Sequence, residues 1–205
     1  MERLVLHEYA ASGNCYKIRL TAALLGVPLE RRAYDIIAGE TRTATFLATV
    51  NANGRIPVLQ IGDRFLPESN AACWWLAEGS PLIPGDRNGR AEVLRWMFFE
   101  QYNHEPNIAT LRFWRAFVGE EALGAEQRAL IPAKLAGSHA ALKVMEDHLA
   151  GRRYMVGDAL SLADICLYAY THVADAGGVE LVPYPAVRAW LARVAGAPGH
   201  VPITA

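Results

Sequence analysis

The 205-residue sequence is short of several things, and each shortage removes a class of function. It has only three cysteines, Cys15, Cys73 and Cys166, odd in number and far apart. That argues against a disulfide framework and for reduced thiols in a reducing compartment. No apolar run reaches the ~18–20 residues that span a bilayer, and the apolar stretch within MERLVLHEYAAS is too short for a secretory leader. A cytoplasmic protein with no membrane partner is expected. An excess of one charge is also missing. The net charge is −1, with Lys and Arg scattered, so nothing global draws the chain to nucleic acid. The histidines show no metal spacing. His104-Glu105 opens like a zinc-protease helix, but the second histidine would fall at Ile108, so no metal is expected. Phosphate-binding glycine loops and dinucleotide fingerprints are absent as well.

What is present suffices for a real core: 52% of residues are hydrophobic and 20% charged, in a length that fits one large or two small domains. Residues 3–7 and 29–35 read as strands, the second with weak alternation. Residues 14–25 read as a helix closed by Gly26 and Pro28, and 43–50 as a short helix. Residues 57–61 and 64–66 form a hairpin around Gly62-Asp63. A further helix spans 68–78, ahead of Gly79. The stretch GSPLIPGDRNG then reads as a linker. Beyond it the strand signals vanish, and helices are expected over 90–118, about 125–149, 161–175 and 184–195. Pro132 marks a late start or a kink in the second of these. The order βαβαββα followed by helices predicts a mixed α/β domain over 1–79, a linker over 80–89 and an all-helical domain over 90–205. Within the latter, 160-LSLADI-165 is a helix-start signature in which Ser161 and Asp164 form a capping box.

Three short stretches carry chemistry. Ile56-Pro57 opens the hairpin. A trans proline there is an ordinary strand start, whereas a cis bond would leave the Ile56 N–H and C=O pointing outward, able to pair with an extended peptide. Glu68-Ser69 opens a helix, where free N–H groups and the dipole favour a carboxylate. The pair either caps that helix or grips the α-amino and α-carboxylate ends of an amino acid. In 12-SGNCYK-17, Ser12 lies in the turn, Asn14 is the candidate cap and Cys15 lies in the first helical turn. A thiolate is favoured there, belonging either to Cys15 or to a ligand held by Ser12.

Taken together, 9-YAASGNCYKIRL-20, 51-NANGRIPVL-59, 67-PESNA-71 and 156-VGDALSLADI-165 resemble the cytosolic glutathione transferases, and the resemblance covers nearly the whole chain. It implies a thioredoxin-like first domain with a mixed four-stranded sheet and a cis-proline, at Pro57, before the third strand. It further implies glutathione as co-substrate, with Ile56 bonding the cysteinyl backbone, Glu68 and Ser69 holding the γ-glutamyl group, and Arg42 and Arg55 meeting the glycyl carboxylate. The tripeptide would lie along an exposed edge. Arginine at those two positions departs from the family's usual lysine. The sequence resembles the serine-type, theta- and zeta-like groups, in which Ser12 would donate to the glutathione sulfur. Asn14 ranks second as activator, Cys15 third and Tyr9 last, a one-residue offset in a strand turning a side chain to the other face.

The thiolate would attack a hydrophobic electrophile, in a pocket to which Tyr9, His104 and Arg112 are candidate contributors. The aromatic residues between Trp96 and Phe117 divide between core, pocket and the interface of a homodimer. A glutathione-dependent disulfide or peroxide reductase, a maleyl-type isomerase and a non-catalytic binding module are the competing readings. The run SGNC departs from the S-S-C-S of the zeta-like isomerases and lacks the C-x-x-C of dithiol enzymes.

Overall fold

A computed structural model describes residues 2–205. The chain forms two compact units, residues 1–80 with 198–205, and residues 81–197. The C-terminal segment 198–205 thus belongs with the first unit, not with the helical domain to which its position in the sequence had assigned it.

The first unit follows the expected βαβαββα order: β1 (Leu4–Glu8), α1 (Gly13–Leu24), β2 (Glu30–Ala33), α2 (Ala44–Thr49), β3 (Val58–Ile61), β4 (Arg64–Pro67) and α3 (Ser69–Ala77). The sheet order is β2-β1-β3-β4, with β1 and β2 parallel and the other pairs antiparallel. Every residue of β2 is exposed, which explains its weak alternation: an edge strand has no face that must be apolar. Side chains of β1 alternate between two buried faces. Leu6 and Glu8 face α1, where Glu8 meets Arg19, whereas His7 turns the other way to meet Tyr34 and Gln60. Ser12 caps α1, and the helix ends as its sequence foretells. Gly26 takes φ +65, the left-handed conformation that costs glycine least, and the Gly26 and Val27 N–H groups return to Ala23 and Ala22.

The second unit is helical. Leu82 and Ile83, inside the expected linker, are buried, and α4 (Arg87–Phe99) starts three residues before position 90, capped by Asp86. The helical rod continues to Val118 through a π segment at Glu100–His104, α5 (Glu105–Arg112) and a second π segment at Phe113–Val118. Pro106 sits at the start of α5, just after the widened turn, where its missing N–H is least costly. Helix α6 (Ala125–Leu149) runs through Pro132, which is exposed, so the carbonyl it leaves without an N–H faces water. Helices α7 (Leu162–Thr171) and α8 (Pro185–Ala195) complete the unit.

Asp164 organises this bundle. It is fully buried, and its Oδ1 accepts from Met155 N–H and Trp190 Nε1, both at 2.8 Å. Its Oδ2 accepts from the Ser161 N–H at 2.9 Å and the Ser161 hydroxyl at 2.7 Å. Burial pushes the carboxyl above its ordinary pKa, while these four donors pull the other way. Glu146 performs a similar service for α8, its two oxygens accepting the Ala186 and Val187 N–H groups at 3.0 and 2.9 Å.

Candidate active site

The turn between β1 and α1 is tightly closed. Ser12 N–H donates to Tyr9 O at 2.9 Å, and Ser12 Oγ accepts from Cys15 N–H at 3.4 Å. A hydroxyl that accepts through a lone pair keeps its proton for another acceptor, so capping and donation to a ligand are compatible in one side chain. Cys15 lies otherwise than a nucleophile would. It is fully buried, its Sγ takes the Tyr9 N–H at 3.4 Å, and burial pushes its thiol up to about 12 against the Ser12 and Tyr9 hydrogen bonds. The helix N-terminus expected to acidify this thiol is outweighed by desolvation, which counts against Cys15 as an activator.

At the other end, Glu68 has φ +72, and among the described residues no other non-glycine has positive φ. Side chains resist that conformation, which is held here by Pro67 at the end of β4 and Ser69 at the start of α3. Glu68 itself is exposed, whereas Ser69 is buried. Ser69 Oγ donates to Asn14 Oδ1 at 3.3 Å and accepts from Lys17 Nζ at 3.5 Å, and Lys17 Nζ also reaches Asn70 Oδ1 at 3.1 Å. The N-terminal ends of α1 and α3 therefore meet through side chains, and Lys17 brings a buried cation to the same spot. Sequence reasoning missed Lys17 and Asn70. The available signal was a lysine three residues after Asn14, on the same helical face.

The Ile56–Pro57 bond is cis. Ile56 precedes the ladder, whose first β3 pair is Val58 with Pro67. Strand β3 is flanked by β1 and β4, so the edge expected to pair with a tripeptide is confined to the residues before the strand, where Ile56 lies. The loop leading to Ile56 is braced by Asn51, whose Oδ1 accepts from Asn53 N–H at 3.0 Å and whose Nδ2 donates to Arg55 O at 2.9 Å. Arg42 Nη1 donates to Asn53 O at 3.1 Å, lying so close across Gly54 that a Cβ there would come within 2.6 Å of it. Arg42 and Arg55 are both exposed beside this loop.

The residues suggested for an electrophile pocket fare differently. Tyr9 is partly exposed at the Ser12 turn. Arg112 is partly buried, its guanidinium 4.9 Å from the Phe117 ring centroid. His104 is fully buried, its Nε2 2.8 Å from Thr171 Oγ1, and so presents no surface to a ligand. Among the described residues no cluster of three His, Cys, Asp or Glu could hold a metal ion, and no helix is long and apolar enough to cross a membrane.

A thioredoxin-like unit with an all-helical unit, carrying this arrangement at its helix N-termini, defines the class. The family comparison agrees: residues 11–78 match the glutathione S-transferase N-terminal domain and residues 128–193 the C-terminal domain, and the chain belongs to the glutathione S-transferase family. The chain is 46% identical to a glutathione S-transferase from Pseudomonas fluorescens, whose crystal structure superposes with a TM-score of 0.93 over 98% of this chain and 99% of that one. A glutathione transferase from Burkholderia graminis, solved with two glutathione molecules bound per subunit, is 28% identical with a TM-score of 0.83, covering 97% of this chain and 85% of that one. The chain is also 32% identical to a maleylpyruvate isomerase from Ralstonia, over 90% of this chain and 88% of that one.

Proposed function

We propose that the protein is a serine-type glutathione transferase in which Ser12 activates the thiol. The observation that carries this reading is the meeting of two helix N-termini, with Ser69 Oγ 3.3 Å from Asn14 Oδ1 and the capping Ser12 beside them. Two positive dipole ends and the Lys17 ammonium favour two anions carried by adjacent residues of one tripeptide, a γ-glutamyl carboxylate at Ser69 and a thiolate at Ser12. Glu68 takes the γ-glutamyl ammonium, Ile56 pairs with the cysteinyl backbone, and Arg42 and Arg55 meet the glycyl carboxylate. Asn14 is the second candidate to touch the sulfur. The hydroxyl and the dipole lower the pKa of the bound thiol, its proton passes to solvent, and the thiolate attacks an electrophilic carbon. With a chlorinated nitroaromatic, a C–S bond forms and chloride leaves. Tyr9, beside the Ser12 turn, remains a candidate for contact with the electrophile. The three cysteines, all free and buried, fit a cytoplasmic setting.

The similarity to the maleylpyruvate isomerase favours a second reading on the same site. Glutathione would add to a conjugated acid, a bond would rotate and glutathione would leave. A reductase acting through Cys15 is disfavoured by that thiol's burial.

Ser12→Ala tests the assignment. It is expected to cut turnover of a chlorinated nitroaromatic by ~10²-fold, the usual cost of one anion-stabilising donor, while glutathione still binds. Near-wild-type turnover would remove Ser12 as activator, and isomerisation of a maleyl-type acid at the higher rate would favour the second reading.

A further inference from the structure

Arg19 is the hub of the Ser12 turn. Side chains in a helix lean toward its N-terminus, and this one reaches back from the middle of α1 to the turn before it. Arg19 is 7% exposed, and its Nη2 donates to Ala10 O at 2.7 Å and to Ile203 O at 2.9 Å. Its Nη1 donates to the backbone oxygen of Ala205 at 2.8 Å, and its Nε lies 3.4 Å from Glu8 Oε2. Ala10 lies inside the turn that Ser12 N–H closes on Tyr9. One guanidinium therefore joins four points: the end of β1, the turn that presents Ser12, and two residues of the C-terminal segment.

The surrounding contacts hold that hub in place. Arg31 pairs with Glu8 and donates to the same Ala205 oxygen at 2.8 Å. The Tyr16 hydroxyl donates to Val201 O at 2.7 Å. The titratable groups facing Arg19 are thus Glu8, Arg31, Cys15 and Tyr16. A lysine has a single nitrogen and lacks the planar fork needed to serve three carbonyls and a carboxylate at these angles.

We propose that Arg19 is a positioning residue for Ser12, holding the Ala10 carbonyl in a frame completed by Ile203 and Ala205 so that the Ser12 hydroxyl is aimed at the sulfur of bound glutathione. The inference rests on the reading of Ser12 given above. Arg19 touches neither reacting atom, and its effect passes through the turn. Loss of Arg19 should therefore alter thiol activation far more than tripeptide affinity.

The test is a double-mutant cycle between Ser12→Ala and Arg19→Gln, read by the ultraviolet absorbance of the glutathione thiolate in the binary complex across pH. Affinity for S-methylglutathione, which has no ionisable thiol, provides the binding control. Arg19→Gln is expected to raise the apparent pKa of the bound thiol by about one unit and to lower kcat about tenfold at pH values well below the wild-type thiol pKa. S-methylglutathione affinity should hold, and the second substitution should add little in the Ser12→Ala background. An unchanged pH profile in Arg19→Gln overturns the inference, as does a shift that is fully additive with Ser12→Ala, since the arginine would then act by charge alone. If Ser12→Ala itself leaves the profile unchanged, the Ser12 reading fails and takes this inference with it. If Ser12→Ala shifts the profile and Arg19→Gln does not, only the inference fails. Should Arg19→Gln not fold, Arg19→Lys keeps the charge with fewer donors in reach and is read in the same way.

Discussion

A carboxylate-bearing residue at φ +72 sits where glycine would be at ease. Glu68 pays that conformational cost, about 1–3 kcal/mol for a sparsely populated backbone region. The neighbouring geometry says what is gained: the residue places an exposed carboxylate immediately ahead of the buried Ser69. Glu68→Gly should therefore raise the unfolding free energy by about 1 kcal/mol, part of the relief being offset by the added freedom of the unfolded chain. The same change should weaken glutathione binding at least about tenfold through loss of a charged hydrogen bond. Denaturant unfolding and calorimetric titration measure the two effects separately. A less stable variant, or one that binds glutathione as before, would contradict this account of the residue. Cys15 teaches the converse lesson. Its place in the first turn of α1 suggests an acidic thiol, yet full burial outweighs the dipole and two hydrogen bonds.

At the scale of elements, two kinds of helix start do different work. Those of α1 and α3 meet through a Ser69–Asn14 hydrogen bond, with Lys17 beneath it, whereas those of α7 and α8 are sealed by carboxylates, the buried Asp164 and the partly buried Glu146. Asp164 is the more exacting case because its donors come from three places: the loop at Met155, the cap at Ser161 and Trp190 on α8. Removing it leaves those donors buried with no acceptor. Asp164→Ala is expected to lower stability by about 3 kcal/mol or more, well above the ~1 kcal/mol of an ordinary cap. A cost below about 1 kcal/mol in urea unfolding would show that the carboxylate only caps α7.

For the whole molecule, association and pH response follow from what the surface and interior hold. Leu94, Phe98 and Tyr102 recur every fourth residue along the rod that begins with α4, and Phe98 and Tyr102 are 71% and 84% exposed. Large apolar residues in such a stripe favour a partner surface. Phe98→Asp is expected to reduce any self-association seen by sedimentation, and an unaltered profile would show that the stripe is not a self-association surface. Three histidines, His7, His148 and His200, are held below their ordinary pKa of 6.5, burial being the largest cause for each. His7 is the clearest. Gln60 Nε2 donates to Gly62 O, so Gln60 Oε1 is the acceptor facing His7 Nε2, and the Tyr34 hydroxyl can serve Nδ1 of the neutral ring. At these histidines the unfolded state therefore binds more protons below pH 6.5 than the folded one, and their contribution to stability falls as pH drops through that value toward the folded pKa. Unfolding free energies compared at about pH 8 and about pH 5.5 should show that slope, and His7→Gln should flatten it. A stability that rises on acidification would reverse the sign assigned to these groups.

The sequence alone determined whatever depends on local periodicity and on residues that act close to home. The β1 and hairpin strands, the Ser161 helix start, the Gly26 stop and the change from mixed to helical composition are all readable, because each is decided within a turn or two of chain, whereas the cap of α1 falls at Ser12 and not at Asn14. Ser12, Pro57, Glu68 and Ser69 were singled out on the same grounds. Tertiary structure decided the rest. Cys15 is covered and its thiol held protonated by packing that no neighbour in sequence reveals. Lys17 joins Ser69 across a separation of 52 residues, Arg19 joins Ile203 across 184, and Glu68 takes a backbone that its side chain does not announce. Burial and long-range pairing are properties of the packed chain, and they settle pKa, accessibility and aim where propensity only proposes a place.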